Sequence, residues 1–174
     1  LLNVVNDFKI KSSYGVVGNS DIGYYSAQSY YSDAVYGKSA SLGIANIGDA
    51  NLAWEQSVKF DVGLTAQLFN RIDLEFDYYN TKSSNLVMAV PQGPSTGIGS
   101  LVTNTGSLEN KGFELSIGAD VIRNKNFTWN TNFNFTTVKN KVLSLAEGID
   151  AIYADGDDES GSNVTLPGYS IGQL

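Results

Sequence analysis

The sequence predicts an all-β chain that forms part of an antiparallel transmembrane β-barrel wall, with short turns at one end of the strands and long loops at the other. Three observations carry this. Apolar and polar residues alternate with period two over several stretches of roughly ten residues, about the length a tilted strand needs to cross a bilayer. The composition is rich in Tyr (10), Phe (8) and Gly (18), and only 17% of residues are charged, against a usual share of roughly 25%. The connections between alternating stretches are short, then long, then short again.

The first stretch sets Phe8, Ile10, Tyr14 and Val16 against Lys9, Lys11, Ser13 and Gly15, with Ser12 interrupting the apolar face. A turn over Asn3 to Asp7 is expected before it. Val58, Phe60, Val62, Leu64, Ala66 and Leu68 then alternate with Lys59, Asp61, Gly63, Thr65 and Gln67. Phe69-Asn70-Arg71 forms a tight turn into Ile72, Leu74, Phe76 and Tyr78, which face away from Asp73, Glu75 and Asp77. Alternation loosens after Tyr79, although Leu86 to Val90 remains β-prone. The pattern returns in Phe113, Leu115, Ile117, Ala119 and Val121. It passes through a turn at Arg123 to Asn126 and resumes in Phe127, Trp129, Thr131, Phe133 and Phe135. The long segments are Val17 to Ala53, Pro91 to Asn110 and Lys139 to Pro167, each longer than loops of compact soluble domains usually are.

Alternation alone also suits a soluble or cell-surface β-sandwich that binds a ligand, with its apolar residues turned inward. Two further features favour the membrane wall. Aromatic residues lie beside the short turns (Phe8, Phe69, Phe127, Trp129) and at the far strand ends (Tyr14, Phe76, Tyr78), where two interfacial girdles would sit. The polar face is amide-rich at Asn130, Asn132 and Asn134, where a water-exposed face would carry more Lys and Glu. Monodispersity in plain buffer would favour the sandwich, and detergent dependence the wall.

The chain contains no His and no Cys. That removes Cys/His zinc sites, Cys nucleophiles, His general bases and disulfides. A net charge of −7 with only 11 Lys and Arg argues against nucleic acid as a partner. No apolar run reaches the 18 residues of a transmembrane helix. The charge is uneven: Val142 to Leu174 holds six of the 18 acidic residues and none of the basic ones. Both ends read as interruptions, so the chain is expected to be an internal piece of a longer protein.

Five segments resemble, in family order, the SusC-like (RagA-like) branch of TonB-dependent outer-membrane transporters. Ser13-Tyr14-Gly15-Val16-Val17-Gly18-Asn19 resembles S-Y-G-x-x-G-N. Asn51-Leu52-Ala53-Trp54-Glu55 is similar to N-x-x-L-x-W-E, one residue shorter. Asp77-Tyr78-Tyr79-Asn80 matches D-Y-Y-N, and the run from Asn104 through Gly106 and Asn110-Lys111-Gly112-Phe113-Glu114 matches N-x-G-x-x-x-N-K-G-F-E. Gly168-Tyr169-Ser170-Ile171-Gly172-Gln173 resembles the strand opening G-Y-x-I-G-Q. The resemblance implies a partial barrel domain over residues 1–174 from the C-terminal half of a parent barrel of about 22 strands with a plugged lumen. It implies short turns facing the periplasm, long loops facing outside, and location in the outer membrane of a Gram-negative bacterium. It implies active import of an oligosaccharide or peptide and no enzymatic activity. The implied partners are a SusD-like surface lipoprotein as lid, TonB-ExbB-ExbD acting through an N-terminal plug absent from this chain, and the membrane lipid. A piece this size would not close a barrel, and its open edges would aggregate in isolation.

Two clusters are candidate sites. Tyr24, Tyr25, Tyr30, Tyr31 and Tyr36 would form a sugar- or peptide-stacking surface at the extracellular mouth; the plainer reading is a hairpin whose rings pack on neighbouring loops. Asp155, Asp157, Asp158 and Glu159 would offer several oxygens to Ca²⁺, though without the residue order of an EF-hand; the plainer reading is a solvated loop. No other cofactor is expected. The acids Asp61, Asp73, Glu75, Asp77, Glu114 and Asp120 are expected to solvate the barrel interior or to pair with basic residues of the plug, not to catalyse. Gly112 and Gly118 are expected to mark bending or close packing within a strand.

Overall fold

The structure is a computed structural model, and it describes residues 4–146, 148–153 and 163–172. Five long strands form one sheet in the order β1-β4-β5-β6-β7: β1 (Val5–Asn19), β4 (Glu55–Leu68), β5 (Ile72–Pro91), β6 (Ser100–Arg123) and β7 (Thr128–Leu145). Two small antiparallel pairs stand apart from it, β2 (Tyr30–Tyr36) with β3 (Ser39–Asn46), and β8 (Ile152–Tyr153) with β9 (Val164–Thr165). A 3-10 turn spans Pro94–Thr96.

The chain divides into two compact units. One comprises residues 1–16, 58–82 and 109–140, the other 17–57, 83–108 and 141–174.

In the first unit the tight turns lie where alternation breaks. Phe69 and Asn70 both have positive φ (56° and 52°), and the Arg71 amide donates to the Leu68 carbonyl at 3.0 Å. Two left-handed residues in succession are the signature of a type I′ hairpin turn, whose twist matches that of the flanking strands. The Asn70 amide donates to Asn6 Oδ1 at 2.6 Å and the Phe69 amide to the Val4 carbonyl at 2.8 Å, which ties the turn to β1. Of the turn expected at Asn3 to Asp7, Val5 to Asp7 are strand instead, since β1 has begun by Val5, and Asn6 serves the neighbouring turn from within it. The β6–β7 turn closes through the Asn124 amide on the Phe127 carbonyl at 2.8 Å.

Alternation sorts this unit's side chains onto two faces. On one, the rings of Phe76, Phe113 and Phe135 form a ladder across β5, β6 and β7, with centroids 6.0 and 5.9 Å apart. Phe8, Ile10, Tyr14, Phe60, Val121, Phe127, Trp129 and Phe133 are exposed. Among the described residues Val142, 4% exposed, is the one buried apolar side chain. A sandwich would need a second sheet packed about 10 Å above this face; the other sheets are two-stranded and the apolar side chains stay uncovered.

In the second unit the strands run further than alternation predicts. β5 continues past Tyr79 to Pro91, β6 begins at Ser100 and β7 extends to Leu145. The segments expected as loops over Pro91 to Asn110 and Lys139 to Pro167 thus shrink, and Val17 to Ala53 contains the β2–β3 hairpin. The reason is chemical. These extensions are laced by hydroxyl and amide groups, such as the Ser57–Ser83 and Ser107–Ser144 hydroxyl pairs (2.7 and 2.8 Å) and Thr105 Oγ1 donating to the Leu86 carbonyl at 2.9 Å. Their apolar residues, such as Leu86 to Val90, come in runs between these polar groups and do not alternate, so they give no period-two signal. The strand expected to open at Tyr169 is instead a turn, held to β7 by the Gly168 amide on the Val142 carbonyl and the Val142 amide on the Tyr169 carbonyl, both 2.8 Å.

Candidate functional site

The polar face of the first unit carries a hollow of about 560 Å³ lined by Lys11, Asp61, Glu75, Asp77, Tyr79 and Glu114 among others. Lys11 Nζ lies 2.9 Å from both Glu75 Oε1 and Asp77 Oδ1. Lys11 is on β1 and its partners on β5, with β4 between them. It spans that strand because the intervening position is Gly63: a Cβ there would run into Asp77 Oδ1 and the Lys11 side chain. Two of the acids expected to solvate the interior or meet a plug are thus paired within the wall. Asp61 accepts from the Ser13 hydroxyl at 3.1 Å, and Asp120 from Asn130 Nδ2 at 2.6 Å. Gly112 is a close-packing position, as expected, since a side chain there would strike the Thr137 carbonyl and the Tyr79 hydroxyl.

The second unit contains a cleft of about 720 Å³ lined by Asp49, Asn51, Asn85, Gln92, Thr103 and Asn104, with apolar neighbours. Its polar groups are organised by Asn104. The side-chain oxygen accepts from the Ala53 amide at 2.8 Å, and the nitrogen donates to the Ala53 and Asn85 carbonyls at 2.8 and 2.7 Å. Asn85 has φ 55°, so this amide also secures an irregularity in β5. Thr103 Oγ1 donates to Asp49 Oδ2 at 2.5 Å and the Asn51 amide to Asp49 Oδ1 at 2.9 Å. The Thr103 hydroxyl above all, then the Asn51 amide, hold the Asp49 carboxyl below its ordinary range, against an opposing effect of burial. Glu55 joins two strands, accepting from Asn19 Nδ2 at 3.0 Å and from the Val87 amide at 2.9 Å. Trp54 packs against Gly18. The motif residues Asn19, Glu55 and Asn104 therefore act as scaffold.

The tyrosines are in the same unit. Tyr24 and Tyr25 precede the hairpin, Tyr25 with φ 61°, and Tyr30, Tyr31 and Tyr36 lie on β2. All five are exposed, from Tyr30 at 51% to Tyr24 at 97%. Register puts Tyr31 opposite Ile44 and Tyr36 opposite Ser39. The acidic run Asp155, Asp157, Asp158 and Glu159 lies outside the described residues. The aromatic residues beside the short turns, Phe8, Phe69, Phe127 and Trp129, are exposed, as is Tyr14. Tyr14, Phe76 and Tyr78 are not at strand ends, because β1 continues to Asn19 and β5 to Pro91; Phe76 and Tyr78 end the apolar run of β5, and the same face continues as Asn80 and Lys82.

That continuation was not foreseen. Glu109 on β6 is nearly buried; it accepts from Lys111 Nζ at 2.9 Å and Asn80 Nδ2 at 3.3 Å, with Lys82 Nζ 3.8 Å away. The signal available in the sequence was the switch from Phe and Tyr to Asn and Lys at unbroken two-residue spacing.

Comparison with known proteins agrees with this architecture. The family described as "TonB dependent receptor-like, beta-barrel" matches residues 2–172. TonB-dependent receptor P3 of Formosa agariphila is 40% identical over 153 residues, covering 85% of this chain and 15% of its own. TonB-dependent receptor SusC of Bacteroides thetaiotaomicron is 31% identical over 184 residues, covering 98% of this chain and 18% of its own. Among solved structures, the RagAB peptide transporter superposes with a TM-score of 0.81 at 29% identity over 97% of this chain, and the "open-open" RagAB peptide importer with 0.77 at 28% over 96%. The chain spans 15% to 18% of the length of these relatives. Motifs, open five-stranded sheet and relatives agree: the chain belongs to the TonB-dependent receptor-like β-barrel family, as a SusC-like segment of the barrel wall.

Proposed function

We propose that this segment is wall and mouth of an outer-membrane importer that moves an oligosaccharide or peptide inward, with its short turns in the periplasm and its long connections outside. The observation that carries this is the uncovered aromatic and aliphatic face of the five-stranded sheet, opposite a face of amides, carboxylates and Lys11. Lipid against the first and a wet lumen against the second satisfy both, and a sheet in hydrocarbon needs its backbone paired around a closed barrel. A SusD-like lipoprotein lid and TonB-ExbB-ExbD complete the importer. The peptide option draws on the description of RagAB as a peptide transporter; the oligosaccharide option rests on the SusC-like motifs.

At the mouth, the exposed rings of Tyr24, Tyr25, Tyr30, Tyr31 and Tyr36 are proposed as the stacking surface for substrate, since a flat amphipathic ring suits a sugar face or a peptide side chain. The acidic run around Asp157 is retained as a candidate Ca²⁺ site, to be tested by calorimetry on the intact complex; no heat at millimolar Ca²⁺ removes it.

This chain lacks Cys, so single cysteines placed in it test the two faces in a full-length protein from which any other cysteine has been removed. Phe133→Cys should react with a membrane-soluble maleimide and resist a charged one, and Asn134→Cys should do the reverse. Equal labelling would overturn the wall. Import itself is tested by uptake of labelled oligosaccharides and peptides in cells lacking or carrying the gene, with and without a protonophore. Uptake that ignores both gene and protonophore would overturn it.

A further inference from the structure

We propose that Lys82 and Lys111, which flank Glu109, together with Lys139 on the same lipid-facing side of the wall, form a binding site for the phosphate headgroup of an outer-leaflet glycolipid. The inference rests on the wall's membrane position and on the outward direction of its long connections, and it is independent of the import reading.

The grouping follows from strand register. The Phe76–Phe113–Phe135 ladder marks the lipid-facing side. Two-residue steps lead from Phe76 through Tyr78 and Asn80 to Lys82, from Phe113 back to Lys111 and Glu109, and from Phe135 through Thr137 to Lys139. The contacts of Glu109 with Lys111, Asn80 and Lys82 confirm the first two paths. For the third, Asn140 Nδ2 donates to Asn110 Oδ1 at 2.6 Å, which puts that pair on the lumen side and leaves Lys111 and Lys139 on the other.

Three ammonium groups on three adjacent strands therefore stand where the apolar band gives out, away from the short turns. One carboxylate offsets one of them, leaving a charge of about +2 at the level where lipid phosphates lie. Lys82 and Lys111 keep 60% and 44% of their side chains exposed. Lysine stems lie along apolar surface with the heads at the polar boundary, and each such charge adds to attraction for anionic lipid. The plainer reading is interfacial anchoring with no choice of lipid; the two differ in what the lysines demand of the headgroup.

The test uses the full-length transporter in detergent, with retained lipid read by native mass spectrometry. Bis-phosphorylated lipid A should bind at least about tenfold better than its dephosphorylated form. The Lys82→Gln/Lys111→Gln/Lys139→Gln variant should lose that preference, and the triple Arg variant should keep it. Glu109→Gln, which removes the one anion, should raise retention about threefold; this arm serves if the triple Gln variant fails to fold. Unchanged binding by the triple Gln variant or by Glu109→Gln overturns the proposal. So does equal retention of phosphorylated and dephosphorylated lipid. Displacement by millimolar inorganic phosphate would reassign the site to free phosphate, and equal retention of phosphatidylglycerol would reduce it to an unselective anchor. Substrate uptake is followed in parallel: uptake that ignores gene and protonophore, beside an intact lipid preference, counts against import alone.

Discussion

Lys11 and Asp77 belong to strands that are not neighbours, yet their charged atoms lie 2.9 Å apart above Gly63. The glycine is the opening through which β1 reaches β5. Gly63→Val should remove the ion pair and destabilise the full-length barrel by roughly 1–3 kcal/mol, the usual cost of overpacking. The midpoint of heat-induced mobility change on gels checks it. Adding Lys11→Ala should recover part of the loss, because one of the two obstructing groups is gone; strictly additive effects would mean the contact is unimportant.

Asn104 serves three backbone groups with one side chain. Asn104→Ala should leave the Ala53 amide and carbonyl and the Asn85 carbonyl without it, at roughly 1–3 kcal/mol for each group that stays dry. The expected readout is faster hydrogen exchange in residues 47–54 with little change in the hairpin at Phe69. Uniform acceleration across the wall would instead indicate global loosening.

The Asp49 carboxyl, held low by Thr103 and the Asn51 amide, gives the same connection a pH dependence. Its folded pKa lies below the ordinary value of 3.8. The stabilisation is therefore complete above that value and is lost as pH falls through the folded pKa. Exchange protection of residues 47–54 should stay flat through neutral pH and drop only in strong acid. Thr103→Val should move that drop upward toward the ordinary carboxylate range; an unmoved acid limb would assign the effect to another group.

Tyr24→Ala and Tyr36→Ala remove rings that nothing described covers. If they stack on substrate, each should weaken uptake two- to tenfold through KM, from the roughly 0.5–1.5 kcal/mol an aromatic contact supplies. Thermal stability should not change. Normal uptake by the double variant would return these residues to simple surface.

How much of this was legible in the sequence depended on whether one face of a strand is dry. From Val58 to Tyr78, and from Phe113 to Phe135, an apolar face alternates with a polar one, and the strands stand where alternation places them. Beyond Tyr79 and before Asn110 the apolar residues, Leu86 to Val90 above all, run together among Ser, Thr and Asn and do not alternate, so strand and loop read alike. Composition alone picked out the tyrosines. The lysine group had no such mark, because Lys82, Lys111 and Lys139 are far apart in sequence and only register gathers them. The bridge over Gly63 was hidden likewise, since its meaning depends on what stands on either side.

The two-residue turn at Phe69–Asn70 imposes a parity rule on the chain. It fixes which residue of β4 faces which residue of β5, and so which side of every later pair is wet. One residue added there would send the carboxylates of β5 toward lipid and its rings toward water, an effect that a residue added to a connection outside the strands does not have. Length variation among working versions of this wall should therefore come at the connections and spare the turn, and single-residue insertions there should fail at assembly before any question of transport arises.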